Sequence, residues 1–291
     1  MTPVLQGVDT LCLQINRNPF SRIDIRKLRD FILSRKTDYG FAFCRPLPPS
    51  LPETYYAIYV LKSVGEDIPD KEKLIEFLKS NLRNNLHSIF YAFNSLSLLG
   101  EKLPDMSDLL FLKLDEALNR TPRAGTEITV AYSSETPNFL KEVYMITHSL
   151  RLLDPRHTIP ESVKTIIENF RKDGGFGITF PNLRETYYCV FILCDEIKRD
   201  DAVITFVEEH ECHKGGFTKS PGGYPPYLEE TYYALLCLKL LGHRANEKTI
   251  EYISSLQNFN GGFRRSISGG ISTLENTYYA IASLRCFESE L

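Results

Sequence analysis

Tryptophan is absent from the 291 residues. No Cys-x-x-Cys pair occurs either, and the seven cysteines are an odd number. A redox motif or a fully paired disulfide scaffold is therefore not expected. No apolar leader with a small-residue cleavage site opens the chain, and free thiols in a reducing cytoplasm are the expectation. Long hydrophobic runs are also missing. The longest stretch without Asp, Glu, Lys or Arg runs from Asn84 to Gly100, and it carries Asn84, Asn85, His87 and Asn94. That is a poor membrane span. Neither charge sign dominates, since the net charge is -3. The electrostatic footprint of a nucleic-acid binder is lacking.

Aromatic residues, in contrast, are plentiful, with 16 Tyr and 18 Phe. Many fall in one recurring phrase: Glu53-Thr54-Tyr55-Tyr56-Ala57, Glu185-Thr186-Tyr187-Tyr188-Cys189, Glu230-Thr231-Tyr232-Tyr233-Ala234 and Asn276-Thr277-Tyr278-Tyr279-Ala280. Weaker copies begin at Ser88 and Glu142. A repeat of a few tens of residues marks a helical array. Several copies run through leucine-rich sequence to a glycine, at Gly65, Gly100 and Gly242, which reads as a helix C-terminus.

A second class of helix lies between the copies. Ile25, Leu28 and Ile32 share one face, as do Leu110, Leu114 and Leu118, or Val163, Ile166, Ile167 and Phe170. This is amphipathic spacing with one wet side. Thr158-x-x-Glu161 predicts a capping box, and Ser21-x-x-Asp24 a looser one. The connecting loops carry Gly40-Phe41, Gly174-Gly175-Phe176, Gly215-Gly216-Phe217 and Gly261-Gly262-Phe263. Inner helices that are apolar all round must be enclosed by protein. The predicted fold is all-α: an (α/α)6 toroid of six helical hairpin repeats. It spans 1–291 as one domain, with an N-terminal segment over 1–20 and repeats over about 21–287. A long loop is expected from Arg120 to Lys141.

The Gly-Gly-Phe loop followed by a Tyr-rich inner helix resembles the repeat of protein prenyltransferase β-subunits. It is also similar to that of terpenoid cyclases of the squalene–hopene type. The resemblance implies an α/α toroid around an apolar cavity that holds an isoprenoid, and a helical partner subunit or a homo-oligomer. It also implies where a zinc site would lie. Glu229 falls at the position of the family's Asp ligand, Thr231 at that of its Cys, and Asn276 at that of its His. A hydroxyl and an amide are poor zinc ligands, so zinc is not expected. Nor does an Asp-x-Asp-Asp acid cluster occur. No resident cofactor is predicted, and Mg²⁺ held by carboxylates is left open.

The residues themselves nominate two groups. Glu53, Glu142, Glu185 and Glu230 stand at the heads of inner helices, with Asn276 in the same register. In a ring they would meet at one mouth as candidate acids and bases. The same carboxylates could instead simply complement helix dipoles. Arg45, Arg184, Lys219, Arg264 and Arg265 are candidates to hold an anionic head. Tyr56, Tyr91, Tyr188, Tyr233 and Tyr279 would wall the substrate cavity, above small residues such as Ala57 and Ala280. Three functions remain open at this point: an isoprenoid-handling enzyme, a carboxylate hydrolase in an (α/α)6 barrel, and a non-catalytic module binding a lipid or a protein.

Overall fold

The computed structural model describes residues 18–120, 138–194, 197 and 199–288. Most of the N-terminal segment and of the 120–141 loop lies outside them. Twelve helices are present among the described residues, alternating between two classes. The outer helices are α1 (Ile25–Ser34), α3 (Lys71–Ser80), α5 (Ser107–Asn119), α7 (Glu161–Glu168), α9 (Asp201–Glu209) and α11 (Lys248–Ser255). The inner ones are α2 (Leu51–Ser63), α4 (Leu86–Leu98), α6 (Phe139–Leu153), α8 (Leu183–Ile192), α10 (Leu228–Leu240) and α12 (Leu274–Arg285). Each inner helix packs on the next, and α12 packs back on α2. The ring is closed, so a linear solenoid is excluded.

Local chemistry explains the helix starts. Ser50, Asn85, Asn138, Asn182 and Thr273 cap five inner helices, each accepting the N–H three residues on. The recurring phrase therefore begins in the first helical turn. Two expected starts differ. Asp24, not Ser21, caps α1 by accepting from the Lys27 N–H. Helix α7 follows Pro160 with no side-chain cap, so Thr158 lies too far upstream to serve. Proline already fixes φ for helix entry there. The C-terminal glycines Gly65, Gly100 and Gly242 adopt φ of 76°, 75° and 67°, as a left-handed cap requires.

The threonine of the phrase is the joint of the repeat. Phe41, Phe176, Phe217 and Phe263 are fully buried. Their N–H groups donate to Thr54, Thr186, Thr231 and Thr277 Oγ1 at 3.0, 2.9, 3.0 and 3.1 Å. One bond thus ties each Gly-Phe turn to the inner helix that follows it. In the fourth repeat the turn is a short hairpin, β1 (Arg171–Lys172) with β2 (Gly175–Phe176).

A second joint links neighbouring outer helices. The residue bridged to each buried Phe reaches the head of the next outer helix. Lys36 pairs with Asp70, Arg171 with Asp200 at 2.7 Å, and Glu211 accepts the Asn246 N–H at 3.2 Å. In the last repeat Gln257 takes the Asp24 N–H at 2.8 Å and donates to the Asp24 carbonyl at 3.1 Å. This contact closes the outer ring.

Candidate functional site

Inside the ring lies a cavity of about 730 Å³, within the range of small-molecule sites. On α6 it touches Lys141, Tyr144, Met145, His148 and Leu152. That spacing is one helical stripe. The corresponding stripe on the other inner helices presents three layers. His87, Lys141, Arg184, Glu229 and Glu275 form the first, at the helix N-termini. Tyrosines fill the second. Tyr59, Asn94, His148, Leu236 and Ala282 form the third.

The tyrosine layer is deeper than expected. Both tyrosines of each phrase face the cavity, so Tyr55, Tyr144, Tyr187, Tyr232 and Tyr278 join Tyr56, Tyr91, Tyr188, Tyr233 and Tyr279. Their hydroxyls pair with one another: Tyr55 with Tyr278 at 3.1 Å, Tyr232 with Tyr278 at 2.8 Å, Tyr144 with Tyr187 at 3.3 Å, Tyr56 with Tyr91 at 3.2 Å and Tyr188 with Tyr233 at 3.4 Å. Burial pushes these phenols up, so they remain protonated. Hydroxyls engaged with each other leave ring faces and edges for a ligand. The small residues at the next position, Ala57, Ala92, Ala234 and Ala280, are buried outside the cavity lining.

The first layer is charged. Arg184 and Arg265 hold the two oxygens of Glu229, the latter at 3.1 Å. Arg184 also stands 5.3 Å from the centre of the Tyr233 ring. Glu275 accepts from Tyr279 at 3.0 Å and from Tyr56 at 3.4 Å. Burial, and then the Arg184 charge, holds the Lys141 amine below its usual range. Burial likewise lowers His87. Deeper in, burial pushes His148 down to about 4, so its imidazole is neutral. Its ring stacks on Phe191 at 5.3 Å, and Nδ1 has no hydrogen-bond partner.

The head carboxylates stand one position too late to line this cavity. Glu142 pairs with Arg120 at 3.2 Å. Glu185 accepts from Asn138, from the Ile178 N–H at 2.9 Å and from Asn182 at 3.1 Å, which makes it a brace for its own loop. Burial raises Glu230, with Arg184, Lys219 and Arg265 opposing. Burial, then the Glu275 charge, pushes Glu53 up to about 7. None of these four glutamates is among the residues lining the cavity, because a 100° step separates their face from the cavity's. Of the other candidates, Arg184, Arg265 and Asn276 line the cavity. Arg45 donates to the Lys36 carbonyl at 2.8 Å beside a separate cleft. Arg264 donates to the Ser255 carbonyl at 3.2 Å, and Lys219 stands 5.5 Å over the Tyr227 ring.

The three positions that the resemblance would give to zinc hold a carboxylate, a hydroxyl and an amide. Thr231 Oγ1 already accepts from Phe217 and donates to the Tyr227 carbonyl at 2.8 Å. Glu229 is held by two guanidinium groups, and Asn276 offers only an amide. Among the described residues no group of three His, Cys, Asp or Glu side chains could hold a metal.

A family model described as the prenyltransferase alpha-alpha toroid domain matches residues 4–89 and 112–288. The chain belongs to this family. No curated protein matches the sequence. Among solved structures, the chain is similar to Candida albicans protein geranylgeranyltransferase-I complexed with GGPP, with a TM-score of 0.63 and 14% identity. That match covers 90% of this chain and 91% of the other. At 14% identity the match shows a shared fold alone.

Proposed function

We propose that this prenyltransferase-like toroid binds an isoprenoid in its central cavity. The apolar chain would lie against the tyrosine rings, and a polar or diphosphate head would meet Lys141, Arg184 and Arg265. The observation that carries this reading is the cavity's layering, with cations at the helix N-termini above a wall of self-paired phenols. The solved relative's complex with GGPP supports it by analogy. We infer that no zinc takes part, so activation of a cysteine thiol is not part of the function. Magnesium enters only as the counter-ion of a diphosphate. A hydrolase using Glu185 and Glu230 is disfavoured, since neither lines the cavity. Partnership with a helical subunit or a second copy belongs to the same proposal, and exposed Phe111 and Leu112 on α5 offer it a surface. A cytoplasmic setting is also part of it. Among the described residues no helix is long and apolar enough to cross a membrane.

The test is equilibrium binding of a fluorescent prenyl diphosphate, with unlabelled geranylgeranyl diphosphate and geranylgeraniol as competitors. Saturable binding displaced by both supports the proposal. Absence of binding by all three overturns it.

A further inference from the structure

Four loop segments lead directly into inner helices: 42–50 into α2, 177–182 into α8, 218–227 into α10 and 264–273 into α12. These helices are consecutive in the ring, in the order α8, α10, α12, α2. The segments therefore form a continuous arc around the end of the barrel where Arg184 and Arg265 stand. None of the four contains an Asp or a Glu. They carry Arg45, Lys219, Arg264 and Arg265 instead, of which Arg265 pairs with Glu229 of α10 at 3.1 Å, in a chain whose net charge is -3.

Among the described residues, the same segments carry six of the ten exposed large apolar side chains. Phe180 is 78% exposed, Ile271 71% and Tyr224 69%, and Phe43, Leu47 and Ile267 are exposed as well. Each projects from a loop that is fixed at its base. The Tyr227 N–H donates to the Phe217 carbonyl at 2.9 Å, and the Leu228 N–H to the Arg265 carbonyl at 2.9 Å. Burying such residues singly in water's place needs a partner that accepts separate tips. A rigid protein surface would need a matching pocket for each. A fluid interface accepts them independently, and Phe, Tyr and Ile suit the boundary between headgroups and acyl chains.

We propose that this acid-free arc docks the toroid on an anionic phospholipid surface, with the cavity end facing the bilayer. Basic residues draw the arc to the negative leaflet, and the apolar tips insert shallowly. Two weak signals together give stable but reversible attachment. The inference rests on the rim alone and stands whatever occupies the cavity.

The experiment is cosedimentation of the full chain with vesicles of phosphatidylcholine alone or mixed with phosphatidylserine. Binding is expected on the mixed vesicles only, falling several-fold when salt is raised from about 0.1 to about 0.5 M. It should fall several-fold again in the Phe180→Ser, Ile271→Ser double variant, whose thermal unfolding should match the parent's. No binding to the anionic vesicles at low salt overturns the proposal. So does binding that the double variant leaves unchanged, or capture of an acidic protein by this arc without any vesicle binding. Prenyl diphosphate binding by the double variant, measured in the absence of vesicles, separates a failed rim from a failed cavity.

Discussion

The Phe217 N–H donates to Thr231 Oγ1 at 3.0 Å, and both groups are buried. Replacing the hydroxyl by a methyl group keeps the shape and orphans the amide. Thr231→Val should therefore cost about 1–3 kcal/mol, read as a lower urea midpoint with unchanged slope. A loss below about 0.5 kcal/mol would mean that the joint is dispensable.

This bond also shows what the sequence could and could not reveal. The repeat, the twelve helices and their two classes were legible because periodicity and glycine placement act locally. The role of Thr was not. Its partner lies 14 residues away, in the preceding turn. The site suffered from the same limit. Glu53, Glu142, Glu185 and Glu230 were prominent because they recur. The cavity instead uses the position just before the repeat's first residue, where His87, Lys141, Arg184, Glu229 and Glu275 mix an imidazole, two cations and two carboxylates. A functional ring that varies by position leaves no repeat signal. The signal that could have found it was the stripe set by the second tyrosine, since residues three and four apart share a helix face.

Ring closure should be sensitive at one glycine. A Cβ on Gly261, where φ is +89°, would stand 2.1 Å from the Lys27 carbonyl in α1. Backbone cannot yield as a side chain tip can, so Gly261→Ala should destabilise by several kcal/mol. Gly65→Ala has a similar φ of +76° but meets nothing within 4 Å. It should cost only about 1 kcal/mol. Chemical denaturation of the pair separates strain from collision, and equal losses would refute the closure argument.

Glu229 neutralises the cations that a ligand head would need. Glu229→Gln removes that charge and leaves Arg184 and Arg265 free to turn to an anion. Affinity for a prenyl diphosphate should rise about fivefold or more, with little change for the uncharged alcohol. An equal change for both ligands would place the head elsewhere.

Two buried groups give stability opposite dependences on pH. Glu53, raised from 4.5 to about 7 by burial and then by Glu275, binds its proton more tightly in the folded protein. Its contribution is complete below pH 4.5 and disappears as pH rises through about 7. His148, lowered from 6.5 to about 4 by burial and then by Arg151, contributes above pH 6.5 and loses that contribution as pH falls through about 4. Glu53→Gln should raise the urea midpoint at pH 8 more than at pH 4.5. A uniform shift at both would show that Glu53 ionises normally.

Eleven of the 16 tyrosines line the cavity, and the chain has no tryptophan. Near-ultraviolet absorption and emission therefore originate largely from the cavity wall. Coupled phenols at centroid distances near 5 Å, such as Tyr232 and Tyr279 at 4.7 Å, pass excitation among themselves. A conjugated or fluorescent ligand placed among them would act as a common acceptor. The unlabelled protein is thus its own optical probe, with the signal arising where a ligand would sit.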